Sequence, residues 1–238
     1  MPNWIEHTCE PKRLILAWQA PDALQNRRRF AVGELLRQGS EASLRYFEND
    51  CLAEAKALGF SGYPAFKLDR REHKDVLATF MRRLPPRSRS DFREYMAHFR
   101  LGSTAPLSDF ALLAYTEAKL PSDGFSIVND LQDVEPPCEF LIEIAGFRHH
   151  PNAIGSVQPG EMVELVPEPE NQWDSDAIAV RCQELTVGYV NRLQTAAFHR
   201  WIEQRSVVAA IERLNGTPSK PRAFMFVWVT QPRGRAAA

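Results

Sequence analysis

The chain has 238 residues, and its 29 basic and 30 acidic side chains nearly cancel. From Cys138 onward there are 10 Lys/Arg against 11 Asp/Glu, so neither half has the excess of cations that sequence-independent duplex binding requires. Any nucleic-acid contact must therefore come from a local arrangement of residues.

The size allows one large domain or two small ones, each able to bury a core. Cys9, Cys51, Cys138 and Cys182 lie far apart with no C-x-x-C pair, so neither a zinc knuckle nor a disulfide framework is suggested, and four free thiols in a reducing compartment is the plain reading. Met1 to Arg13 carries charges where a signal peptide needs an apolar core, and no apolar run approaches membrane-spanning length. The expectation is a soluble, cytoplasmic protein with no membrane contact and no cofactor.

In chain order, Leu14–Trp18 is a short apolar run bounded by Arg13 and by Pro21-Asp22, the pattern of a buried strand. Phe30–Leu35 and Leu44–Phe47 predict two more strands, giving a small antiparallel sheet. The Arg27-Arg28-Arg29 run between them reads as a solvated turn, with phosphate contact as the alternative. Helices are predicted for Cys51–Leu58, closed by Gly59, and for Lys74–Arg83, whose Val76, Leu77, Phe80 and Met81 share a face. Two more follow at Asp91–Phe99 under a Ser90 cap and at Asp109–Lys119 under a Ser108 cap. Arg82, Arg83, Arg87 and Arg89 make the most basic window. It reads as an exposed loop balanced by Asp91 and Glu94, with an auxiliary phosphate clamp as the alternative. Ser122–Pro137 mixes turn residues, acids and a proline pair, and reads as a linker or domain boundary near Val134–Pro137.

Short strands then come quickly, at Phe140–Gly146, Met162–Val166, Ala177–Cys182, Thr186–Val190, Val207–Leu214 and Ala223–Val229. One amphipathic helix, Leu193–Gln204, is inserted among them. This spacing predicts a partly open β-barrel. The whole is α+β: an N-terminal small sheet plus helices at 1–134, a barrel at 138–230 and a mobile tail at 231–238.

The most specific stretch is Glu168-Pro169-Glu170-Asn171-Gln172-Trp173-Asp174-Ser175-Asp176-Ala177-Ile178-Ala179-Val180, a turn-rich loop running straight into a strand. Asn171 and Asp174 can fold their side chains onto nearby backbone N–H groups. Trp173 is expected to fill the core beneath the loop. Val187-Gly188-Tyr189-Val190-Asn191-Arg192 follows, and Ala145-Gly146-Phe147-Arg148-His149-His150 precedes. In this order and spacing the three pieces resemble the HIRAN domain. That resemblance implies a small barrel-like fold that captures single-stranded DNA at its 3′-hydroxyl end without catalysis.

Carried onto these positions, it implies a DNA-binding site of Arg148, His149, His150, Asn171, Asp174, Tyr189 and Arg192. The arginines would neutralise terminal phosphates and the rings would stack bases, while Asp174 would accept the free hydroxyl. DNA repair, replication-fork handling or defence against foreign DNA, including phage DNA, would be the setting.

The N-terminal pieces Val32-Gly33-Glu34-Leu35, Gly62-Tyr63-Pro64, Arg83-Leu84-Pro85-Pro86 and Asp109-Phe110-Ala111-Leu112-Leu113 resemble the first subdomain of HipA-type kinases. No glycine-rich phosphate loop, H-R-D or D-F-G accompanies them, so phosphoryl transfer has no machinery. Two rival readings remain. One is an adaptor or toxin–antitoxin type regulator whose N-terminal half docks a protein partner. The other is a metal-dependent nuclease built on Glu170, Asp174, Asp176 and the histidine pair, although adjacent strand histidines point to opposite sides.

Overall fold

The structure, a computed structural model, describes residues 3–20, 28–120 and 123–231. Arg27, the Pro21-Asp22 and Pro121 boundaries and the tail beyond Gln231 lie outside the described residues. The fold is α+β, and the chain divides into two compact units. One is Cys9–Tyr95 with Thr104–Asp133; the other is Met1–Thr8, Met96–Ser103 and Val134–Ala238.

The first unit is built on β1 (Arg13–Gln19), β2 (Arg29–Gln38) and β3 (Glu41–Tyr46), antiparallel neighbours as the apolar runs predict. Helix α1 (Asp50–Ala57) starts where the Asn49 side chain accepts the Leu52 N–H. It ends where Gly59 takes φ +99, a left-handed conformation that costs glycine nothing. β4 (Gly62–Tyr63) and β5 (Phe66–Lys67) form a hairpin, and β6 (Glu72–His73) adds to β3.

Helix α2 (Leu77–Met81) is shorter than the periodicity predicts, because Asp75 at φ +52 cannot join a right-handed helix. Helix α3 (Phe92–His98) buries only Met96 of its expected stripe. In helix α4 (Asp109–Thr116) the Ser108 hydroxyl accepts the Ala111 N–H, as its sequence signals. The helix stops before Lys119, since Glu117 and Ala118 take positive φ and turn the chain into β7 (Phe125–Val128). That strand, within a stretch expected to be a linker, completes the sheet in the order β6-β3-β2-β1-β7.

In the second unit β8 (Cys138–Glu143) leads into a single 3-10 turn (Phe147–His149). There follow β9 (Met162–Pro167), β10 (Ile178–Cys182), β11 (Leu185–Tyr189), helix α5 (Thr195–Gln204), β12 (Ser206–Thr217) and β13 (Lys220–Thr230). The sheet order is β11-β10-β9-β12-β13-β8, with antiparallel neighbours throughout.

Its two edges then meet. Beyond β8, Ala145 bridges Tyr189 at the end of β11, and each N–H donates to the other's carbonyl at 2.8 and 2.9 Å. One bridge closes the sheet into a partly open barrel. Inside it lie Phe140, Ile142, Val180, Val187, Phe198, Trp201, Met225 and Val227. Around Glu139 and Glu212 the outer face of β8, β12 and β13 is covered by two stretches from far upstream. The N–H groups of Glu6 and His7 donate to Glu139, Asn3 and Arg100 donate to Glu212, and Ile5 bridges Leu101.

The seam leaves no room for a side chain at Gly188. A Cβ there would stand 2.5 Å from the Ala145 carbonyl oxygen and 2.7 Å from the Ile144 side chain. Gly188→Ala is expected to cost roughly 1–3 kcal/mol, as overpacking does, and to open the bridge. Hydrogen exchange at the Ala145 and Tyr189 amides measures it: both should lose protection ahead of the β12 and β13 amides.

Candidate nucleic-acid interface

The acidic loop is set by its own side chains. The Asn171 carboxamide oxygen accepts the N–H groups of Trp173 and Asp174 at 3.0 and 3.3 Å, and Asp174 Oδ1 accepts the Asp176 N–H at 3.1 Å. Such turns hold short polar loops against a strand end. From α5, His199 makes a 3.0 Å hydrogen bond to the Asp176 carbonyl and pins the loop from the other side.

Glu168, at the head of the loop, is the hub. Its carboxylate accepts from Asn171 Nδ2 at 3.0 Å, from Arg181 Nη2 at 3.0 Å and from the Tyr189 hydroxyl at 3.4 Å. The Asn171 hydrogen bond and then the Arg181 contact hold its carboxyl below the ordinary value, against the opposing effect of burial. Burial and the Glu168 charge push the Tyr189 phenol up, so this hydroxyl stays protonated and donating.

The His150 ring lies 5.9 Å from that of Tyr189, tilted by 51°. Burial, then the neighbouring His149, lower the His150 pKa, with Glu168 opposing. At neutral pH its face is therefore an uncharged ring surface. Across the loop, Arg192 Nε reaches Asp174 Oδ2 at 3.0 Å.

Contacts thus link Asn171, Asp174, Arg192, Tyr189 and His150 into one cluster drawn from all three separated segments. Arg148 and His149 stand beside it on the 3-10 turn, where Arg148 Nε donates to His149 Nε2 at 2.9 Å. The strand expected over Phe140–Gly146 stops at Glu143, and the two histidines lie on a turn and its end rather than in a pleat. Among the described residues no group of three or more His, Cys, Asp or Glu is placed to hold a metal ion.

Trp173 overturns the expectation of a core plug, since it is 90% exposed. The Asn171 turn swings it outward, and the barrel interior beneath is filled by Trp201 and Phe198. Glu168 and Arg181 were not among the predicted site residues. Alternation held the clue: Arg181 stands two residues from Ala179, the register partner of Tyr189, and so projects from the same face.

The basic window of the first unit is dispersed. Arg83 is buried, with all five of its N–H donors directed to protein acceptors, so it presents no edge to a phosphate outside. Arg87 pairs with Asp109, Arg89 pairs with Asp91, and Arg82 is exposed.

Residues 138–230 match the HIRAN domain family. The match spans β8 to β13, so it coincides with the six-stranded sheet, and residues 3–8 and 96–103 that cover the HIRAN outer face lie outside it. Among solved structures, the HIRAN domain of human HLTF is similar at 20% identity, covering 39% of this chain and 76% of that one with a TM-score of 0.31. A protein from Lactobacillus plantarum is similar at 18% identity, covering 37% and 96%, with a TM-score of 0.30. No curated protein matches the chain. No helix among the described residues is long and apolar enough to cross a membrane.

Proposed function

We propose that the HIRAN segment captures single-stranded DNA at its 3′-hydroxyl end, by binding and without a bond-breaking step. The observation that carries this reading is the Asp174–Arg192 pair at 3.0 Å, set beside the rings of Tyr189, His150 and the exposed Trp173. The last phosphodiester draws the half-exposed Arg192 guanidinium, and the free hydroxyl takes its place as the donor to Asp174. Rings accept unpaired bases without regard to identity, at about 1–3 kcal/mol per stacked base. Trp173 adds the largest ring face to this set. Such capture suits the handling of damaged, replicating or foreign DNA, where strand ends are exposed.

A 3′-phosphate would put two negative charges where Asp174 already holds one, so the two ends should bind unequally. A hydrogen bond to a charged group is worth about 1.5–3 kcal/mol, or roughly 10- to 150-fold in affinity. Titrating fluorescent oligonucleotides ending in 3′-hydroxyl or 3′-phosphate measures the difference. Wild type should favour the hydroxyl by at least the lower figure, and Asp174→Ala should bring the two ends together. Equal binding of both ends by wild type rules the mechanism out.

A further inference from the structure

We propose that the outer face of the β12–β13 hairpin continues the end pocket as a cationic track for the phosphodiester backbone of the same strand, 5′ of its captured end. The proposal rests on the 3′-end reading above. Sheet geometry supplies the first argument. Glu143 is the register partner of Phe224, and the Ile144 N–H donates to the Ala223 carbonyl. Continuing that register by one residue sets Arg222 beside Ala145, which bridges Tyr189 on its other side. Directly opposed residues share a face, so Tyr189, Ala145 and Arg222 form one outward row. Two strand spacings of about 4.8 Å carry that row roughly 10 Å from the pocket, about three stacked nucleotides at ~3.4 Å each.

Chemistry supplies the second argument. The guanidinium groups of Arg213 and Arg222 lie 4.7 and 5.0 Å from the Phe224 ring centre, so both are held in place. Arg213 Nη1 donates to the His98 carbonyl, while its Nε and Nη2 are buried without a hydrogen-bond partner, so Arg213 adds charge to the face rather than an open fork. Lys220 is exposed on the same side, two residues before Arg222. Arg100 adds a further cation, paired with Glu212, and Arg222 is paired with Glu143. Four cations thus face two carboxylates. Burial first, then the charges of Arg213, Arg100 and Arg222, hold the His98 pKa down. His98 and Arg100 lie outside the HIRAN match, so the upstream stretch that covers the sheet also extends its charge.

The test uses the full chain and two 3′-hydroxyl oligothymidylates, of about three and about twelve nucleotides, within the span of single-strand sites. The long probe should bind wild type more tightly than the short one. Lys220→Gln/Arg222→Gln should leave the short probe unchanged and weaken the long one. Its salt dependence should become shallower by about 1.4 for two lost phosphate contacts at ~0.7 each. Glu143→Gln, which removes an opposing charge, should tighten the long probe alone.

If the short probe binds and neither variant alters the long one, the track is wrong and end capture stands. If the short probe fails while the long one binds and weakens in the arginine variant, the track stands and end capture falls. Binding of neither probe removes both.

Discussion

Replacing Arg83 with alanine is expected to destabilise the first unit by about 3–5 kcal/mol, the range for breaking a buried ion pair by deleting one partner. Its guanidinium grips Asp123 through two hydrogen bonds of 2.8 and 2.9 Å, and donates to the carbonyls of Ala118 and Phe125 at 2.7 and 3.1 Å. It also lies over the Tyr63 ring at 5.9 Å. Deletion strands two carbonyls and leaves a void beside the ring. The Asp123 side chain keeps some solvent, which places the result toward the lower end of the range.

The pH dependence gives a second readout. Burial would raise the Asp123 pKa, but the Arg83 hydrogen bonds, the Phe125 N–H and the Arg83 charge outweigh it and hold the carboxyl below its ordinary value. A carboxyl depressed by folding contributes stability that is present above its unfolded pKa near 3.9 and lost as pH falls through the lower folded value. Wild type should therefore lose this contribution below about pH 4, and Arg83→Ala should show a shallower acid limb. Urea titrations followed by circular dichroism at neutral and acid pH measure both effects. If Arg83 were instead a phosphate contact, the variant would keep wild-type stability and lose DNA affinity.

The second large effect is expected at Trp201. This side chain is 1% exposed and stacks on Phe140 at 6.1 Å and 12°, with Phe198 at 5.2 Å. Trp201→Ala should cost about 3–5 kcal/mol through lost burial and the cavity left behind. Trp201→Phe should cost much less. The buried indole N–H has no hydrogen-bond partner, and removing such an orphan lifts a desolvation cost that offsets part of the packing lost.

The two variants separate packing from the site. Undocking α5 releases the His199 bond to the Asp176 carbonyl, so end capture should weaken in the alanine variant and persist in the phenylalanine one. Chemical denaturation paired with oligonucleotide titration checks this. Equal losses in both variants would mean that the N–H, not the ring volume, matters.

Local signals carried much of the architecture. The runs Leu14–Trp18, Phe140–Gly146 and Ala223–Val229 announce strands through apolar content alone, and the Ser108 and Gly59 caps announce helix ends through backbone chemistry that does not depend on distant residues. The loop from Glu168 to Asp176 was legible as a self-bonded turn for the same reason. Phe125–Val128 was not, because four residues between acids and prolines become a strand only when β1 offers a free edge.

Arg83 and Trp173 mark where local reading stops. One is a cation in a basic window that turns inward to meet Asp123, 40 residues away; the other is an apolar ring that turns outward because the interior is already full. Composition and periodicity settle what a segment prefers on its own. Which arginine is buried, which ring is exposed and which strands close the barrel depend on partners distant in the chain. Desolvation and close packing act on whatever the folded backbone brings together, and that proximity exists only once the chain is folded.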